Sequence, residues 1–144
     1  MIVIDASNLL LGRLSSIAAK QLLLGKSVAI INSEKAVISG SRRSIIEAAK
    51  RSLRTRTLGA QNKAPKHPRR PEGIIRRAVR GMLPYDKPKG RTAYRRLQVY
   101  IDIPEDLNAQ SAITLPEAKV NKGTICLTVN EVAQNIGWNT LKEK

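Results

Sequence analysis

One cysteine, Cys126, and one histidine, His67, stand in the 144 residues. Such a chain can form neither an internal disulfide framework nor a zinc site of mixed Cys and His ligands. Aromatic side chains are nearly as scarce, with no Phe, one Trp and three Tyr. Ile, Leu, Val and Ala must therefore fill the core, and a strand platform of paired aromatics for stacking RNA bases is disfavoured. No apolar run approaches the roughly 18 residues of a spanning helix. Met1 leads straight into Ile2-Val3-Ile4-Asp5, without the charged start of a secretion signal. The expectation is a cytosolic protein without metal or cofactor.

Acidic residues are the other shortage, 11 against 26 Lys and Arg, giving a formal net charge of +15. The surplus is local. Between Arg42 and Arg96 stand 18 basic and 3 acidic residues, a surplus of 15, whereas the rest of the chain carries 8 of each. A hydrophobic share of 42% still suffices for a core, and the length fits one domain over residues 1–144 with a basic segment at 42–96.

The apolar pattern predicts an α/β fold. Ile2-Val3-Ile4 reads as a buried strand, and Leu10, Leu14, Ile17, Ala18 and Leu22 then recur at helical spacing until Gly25. Val28-Ala29-Ile30-Ile31 and Ala36-Val37-Ile38-Ser39 are further continuous runs, as expected of parallel strands covered on both faces. A helix is predicted after Gly40-Ser41, with Ser44 and Glu47 at capping-box spacing, and another after Pro71, carrying Ile74, Ile75, Ala78, Val79 and Met82. Residues 58–71 and 85–91 read as basic loops. Tyr94 to Leu97 reads as a helical turn, and Leu97 to Ile101 as a strand. After Pro104 the chain loosens through Asn108 to Gly123, apart from a short extended piece at Ile113 and Leu115. Ile125 to Val129 is a last apolar run, in which Cys126 is expected to pack into the core; Thr128 and Glu131 form a second capping box.

Catalytic motifs do not survive inspection. Gly25-Lys26-Ser27 resembles the tail of a phosphate-binding loop, but position 20, where its first glycine belongs, is Lys20, and the fragment follows a helix and precedes a strand. Leu11-Gly12-Arg13 lacks the glycines of a dinucleotide site, and Ser39-Gly40-Ser41 is no nucleophile elbow. Asp5 and Glu34 suit a cap or a local ion pair better than acid/base chemistry.

The basic segment points to a polyanion, because neutralising phosphates releases counterions. Its 13 Arg to 5 Lys favour bidentate phosphate contacts. The first helix offers Arg42, Arg43, Lys50 and Arg54, with Arg56 just beyond it. Lys63, Lys66, His67, Arg69 and Arg70 follow in the loop. Arg76, Arg77 and Arg80 lie on the outer side of the next helix; Lys87, Lys89, Arg91, Arg95 and Arg96 complete the set. No helix-turn-helix, zinc finger or basic zipper is visible, so irregular folded RNA is favoured over duplex DNA. A membrane surface fits less well, for want of aromatic anchors.

Val79-Arg80-Gly81-Met82-Leu83-Pro84, then Gly90-Arg91 and Arg96-Leu97-Gln98-Val99-Tyr100, resemble the signature of the universal large-subunit ribosomal protein thirteen family. Ile4-Asp5-Ala6, Leu11-Gly12-Arg13-Leu14, Gly25-Lys26 and the stretch Ile31 to Gly40 resemble its N-terminal half. Gly137-Trp138 and the Arg-rich stretch 42–70 resemble the archaeal and eukaryotic branch; Asn108-Ala109-Gln110 is at most a remnant of a bacterial element. The resemblance implies a three-layer α/β/α core on a four-stranded parallel sheet ordered 3-2-1-4. It also implies a non-enzymatic protein bound to large-subunit rRNA and neighbouring ribosomal proteins, without membrane or small-molecule partners. A regulatory role on messenger RNA outside the ribosome is a second reading that the basic surface equally permits.

Overall fold

Ile2, Val3 and Ile4 are β-branched and lie beside an equally apolar second run, so the two pair as strands. In the structure, a computed structural model describing residues 1–104, 107, 112–113, 115–121 and 123–139, β1 (Ile2–Asp5) runs parallel to β2 (Val28–Ile31) with Ile2 opposite Val28. α1 (Leu11–Leu23) makes the crossover between them. It stops where Gly25 takes φ +89°, a left-handed conformation that side chains disfavour, and donates its N–H to the Leu22 carbonyl at 3.1 Å.

β4 (Leu97–Val99) pairs parallel to the other edge of β2, with Val28 opposite Leu97. All four residues of β2 are buried, as a central strand covered on both faces requires. Successive side chains alternate between faces. Ile4, Val28, Ile30 and Leu97 meet Leu14, Ala18 and Leu22 of α1, Ile75 and Val79 of α3 (Pro71–Met82), and Ala93 of α4 (Pro88–Arg95). Val3, Ala29 and Ile31 face the other way, onto Tyr100, Leu107 and Ala112.

Two expectations are corrected. The sheet has the order β1-β2-β4, not 3-2-1-4 over four strands. β3 (Val37–Ser39) instead pairs antiparallel with β5 (Cys126–Thr128). Linker length explains this: a parallel neighbour needs a crossover of about a dozen residues or more, and only 32–36 separate β2 from β3. Asn32, left-handed at φ +53°, and the 3-10 turn Ser33–Lys35 turn the chain away from the sheet. Among the described residues the other edge of β1 is met by Ile113, whose N–H donates to the Val3 carbonyl at 2.8 Å. The three-layer expectation is likewise not met among the described residues, where helices pack on one sheet face and Tyr100, Leu107 and Ala112 close the other.

Smaller differences follow from local chemistry. The cap of α2 (Arg42–Arg54) is Ser41, which accepts from the Ser44 N–H at 3.3 Å, rather than Ser44. α4 begins at Pro88, six residues before the expected turn at Tyr94, because Pro suits a first helical position. Thr128 caps α5 (Val129–Asn135) as expected, accepting from the Glu131 N–H at 3.2 Å. Cys126, expected in the core, is exposed on the short edge strand β5. Asn108, Ala109 and Gln110 lie outside the described residues.

Candidate nucleic-acid interface

α2 turns its charge outward because Ile45, Ala49 and Leu53, at helical spacing, take the inner side. That side borders an apolar crevice of about 210 Å³ shared with Ile38, Ile74, Val132 and Ile136. Arg43, Lys50 and Arg54 stand on the exposed face. Arg51, not among the residues expected from sequence, joins Lys50, Arg54 and Glu47 around one shallow depression. A helical wheel could have found it, since residue 51 lies one turn from both 47 and 54. Arg42 reaches Glu131 of α5 at 3.7 Å, and Arg43 pairs with Glu47 at 2.8 Å. Lys50, Arg51 and Arg54 have no carboxylate within 4.0 Å among the described residues.

The connecting segment sorts its cations. Arg56, Lys63 and Lys66 are exposed, whereas His67 is half-buried in the crevice beside Pro68 and Ile74. Arg69 is also exposed, its guanidinium passing beside Gly137 after α5, where an added Cβ would lie 3.3 Å from Nη1. Arg70 pairs with Glu72 at 2.9 Å. On α3, Arg77 reaches the rim of the crevice. Arg80 lies 4.0 Å over the Tyr85 ring, Arg76 lies 5.5 Å over the Tyr94 ring, and the two rings meet edge to face at 5.6 Å. Sequence reasoning missed this cluster, because the tyrosines stand nine residues apart and become neighbours only when α4 folds back.

Around α4, Lys87 occupies the cap and Lys89 the first turn, with no acid there to offset the helix dipole. Lys89 shares a shallow groove with Lys20 of α1, a cation outside the basic segment that the sequence reading also missed. Arg91 donates through Nε to the Tyr85 carbonyl and through Nη2 to the Asp86 carbonyl, each at 3.2 Å. Arg95 is exposed, while Arg96 is half-buried against the end of α1, where a Cβ on Gly25 would lie 3.3 Å from its Nη1.

The carboxylates at the strand ends are structural. Asp5 Oδ1 accepts from the Ser7 N–H at 3.0 Å, the Ser7 hydroxyl at 2.8 Å and Asn32 Nδ2 at 2.9 Å, tying the end of β1 to the turn after β2. Burial pushes the Asp5 pKa up, but the bonds from Asn32 and Ser7 and the charge of Lys35 outweigh it and hold the carboxyl below its ordinary 3.8. Glu34 lies 3.7 Å from Lys35. Among the described residues no group of three or more His, Cys, Asp or Glu could hold a metal ion, and no helix is long and apolar enough to cross a membrane.

An α/β scaffold with helices on one sheet face and Arg-rich outer surfaces defines a basic α/β protein suited to a polyanionic partner. Its family is given by comparison. The model of the ribosomal protein L13 family matches residues 1–106. The Aeropyrum pernix large ribosomal subunit protein uL13 is 39% identical, over 99% of this chain and 94% of its own length. Its namesake from Methanosarcina barkeri is 43% identical over 95% of this chain and 98% of its own length, and that of Archaeoglobus fulgidus 42% over 94% and 87%. The chain belongs to the ribosomal protein L13 family, and these relatives are archaeal.

Proposed function

We propose that this protein is a non-enzymatic structural constituent of the large ribosomal subunit that binds and stabilises large-subunit rRNA, supporting subunit assembly and translation in the cytoplasm. The observation that carries this reading is the separation of charge from core. Exposed cations on α2, the 55–70 segment, α3 and α4 point away from the sheet, and several have no carboxylate partner among the described residues. In a family whose members are named for the large subunit, phosphate is the anion that surface would meet. Most of these side chains would grip backbone phosphates and fix position, with few reading bases. Neighbouring ribosomal proteins are the further partners of this reading.

Titration of large-subunit rRNA fragments across salt concentrations tests it. With about six phosphate contacts, affinity falls on the order of 10³-fold between 50 and 200 mM salt. A flat salt response overturns the electrostatic account. Co-sedimentation of the protein with large subunits, against free messenger RNA as competitor, separates ribosomal from extra-ribosomal binding.

A further inference from the structure

Arg76 and Arg80 stand one turn apart on α3, where two like charges repel. Each guanidinium nevertheless has its own aromatic face: Arg80 sits 4.0 Å over Tyr85 and Arg76 sits 5.5 Å over Tyr94. The rings are themselves locked, meeting edge to face at 5.6 Å and an interplanar angle of 86°. The backbone under Tyr85 is fixed from both sides. Its N–H donates to the Leu83 carbonyl at 2.7 Å, and its carbonyl accepts from Arg91 Nε at 3.2 Å. Gly90 lets α4 press directly on this turn, since a Cβ there would run into the Pro84 carbonyl. Neither Tyr85 nor Tyr94 uses its hydroxyl for a hydrogen bond among the described residues.

A guanidinium lying on a ring leaves its N–H edge available, and an arginine held in one rotamer loses less entropy on gripping phosphate. The geometry points to Tyr85 and Tyr94 as positioning residues that hold Arg80 and Arg76 as a preformed clamp for neighbouring phosphates of an RNA strand. The inference rests on the rRNA-binding reading and deepens it. It assigns the two rings a role through arginine, with no stacking on bases.

The test compares affinity and salt slope on an rRNA fragment. Tyr85→Phe keeps the ring and binds within about twofold of the parent. Tyr85→Leu and Tyr94→Leu each weaken binding about three- to tenfold, the cost of immobilising one released side chain. Their slope of log affinity against log salt stays unchanged, because the same phosphates are gripped. Arg80→Gln instead lowers the slope by about 0.7 to 0.9. Tyr85→Leu placed on Arg80→Gln adds no further loss. Equal loss from Tyr85→Leu in both backgrounds, or a Tyr85→Phe variant as weak as Tyr85→Leu, overturns the proposal.

A second measurement on free protein needs no RNA. The Arg80 Hε resonance lies upfield under the Tyr85 ring current in the parent and in Tyr85→Phe, and loses that shift in Tyr94→Leu or Tyr85→Leu as the stack loosens. An Arg80 resonance at the random-coil position in the parent overturns the positioning role. Failure of the parent itself to bind rRNA overturns the functional reading and leaves this resonance to judge the stack.

Discussion

Gly90→Ala puts two opposite forces on one methyl group. Helix propensity alone makes the change favourable, by about 0.8–1.0 kcal/mol for Gly to Ala inside a helix. Packing opposes it, because Gly90 is buried and the added Cβ would overlap the Pro84 carbonyl and lie 3.0 Å from the Tyr85 N. These are backbone atoms, and both chain ends of the contact are tied down: the same Pro84 carbonyl accepts from the Lys87 N–H at 3.1 Å, and Arg91 of α4 grips the Tyr85 carbonyl at 3.2 Å. No side chain can swing away, so α4 must move off the turn. Overpacking of this kind costs about 1–3 kcal/mol, and the upper half applies where backbone meets backbone. Subtracting the propensity gain leaves a net destabilisation of about 1–2 kcal/mol.

Gly81→Ala is the matched control. Gly81 lies in α3 with nothing within 4 Å of its absent Cβ, so only the propensity gain applies, and the variant is more stable by up to about 1 kcal/mol. Thermal unfolding followed by circular dichroism reads both. For a chain of this size 1 kcal/mol moves the midpoint by about 3–4 °C, so the two variants shift in opposite directions. A Gly90→Ala protein as stable as Gly81→Ala refutes the close approach of α4 to the 84–85 turn, and with it the locked position of Tyr85.

Replacing Lys50, Arg51 and Arg54 together by Gln leaves the thermal midpoint within about 2 °C, because their like-charge repulsions and their attraction to Glu47 are of similar size, a few tenths of a kcal/mol each. The slope of log rRNA affinity against log salt falls by about 2 in the same variant, and an unchanged slope removes α2 from the interface. Asp5→Ala loses about 1–2 kcal/mol at pH 6, from three hydrogen bonds to a partly solvated carboxylate. Since the folded pKa lies below 3.8, the charge-linked part of that stability is present above the unfolded pKa and is lost as pH falls through the folded value; the gap between the midpoints of parent and variant therefore narrows in acid, and a constant gap contradicts the assignment. Cys126, exposed on β5, reacts with a thiol reagent in native buffer within minutes, and a requirement for denaturant restores the buried reading. Amides of α2, which has no fully buried residue, exchange faster in free protein than those of α3, which buries Pro71, Ile75 and Val79, and slow on rRNA binding; equal exchange in the free protein argues against this.

What could be read from sequence depended on whether a single period carried the information. β1, α1 and β2 were legible because Ile2 to Leu22 follow first a continuous apolar run and then a helical stripe, and Gly25 marks the stop. The apolar run of β3 looks like that of β2 and does not reveal its place, although the five residues from Asn32 to Ala36 already exclude a parallel neighbour. α4 is hidden in the sequence because Pro88 and Gly90 are poor helix formers in isolation, and the burial of Gly90 against the 84–85 turn and of Ala93 in the core supplies what propensity lacks. The basic surface was legible as composition. Which cations face solvent was not, because Arg96 is half-buried against the end of α1 through a contact distant in sequence.

That division among the arginines explains how one short segment can carry a surplus of 15 charges and still fold. Repulsion within a patch weakens the compact state unless charge is offset or spread. Arg42, Arg43 and Arg70 each have a carboxylate, Arg76 and Arg80 each have a ring, and Arg91 has two backbone carbonyls. These contacts use only part of each guanidinium fork, whose five N–H groups exceed any one partner. The same side chains are thus held in place in the free protein and retain donors for phosphate. Lysine, with a point charge on a flexible stem, could not do both, which gives a physical reason for 13 Arg to 5 Lys in this segment. Where no carboxylate lies within reach among the described residues, at Lys50, Arg51 and Arg54, the cations stand on α2, a helix with no fully buried residue, so on the proposed reading rRNA would there neutralise charge that the protein itself leaves unpaired.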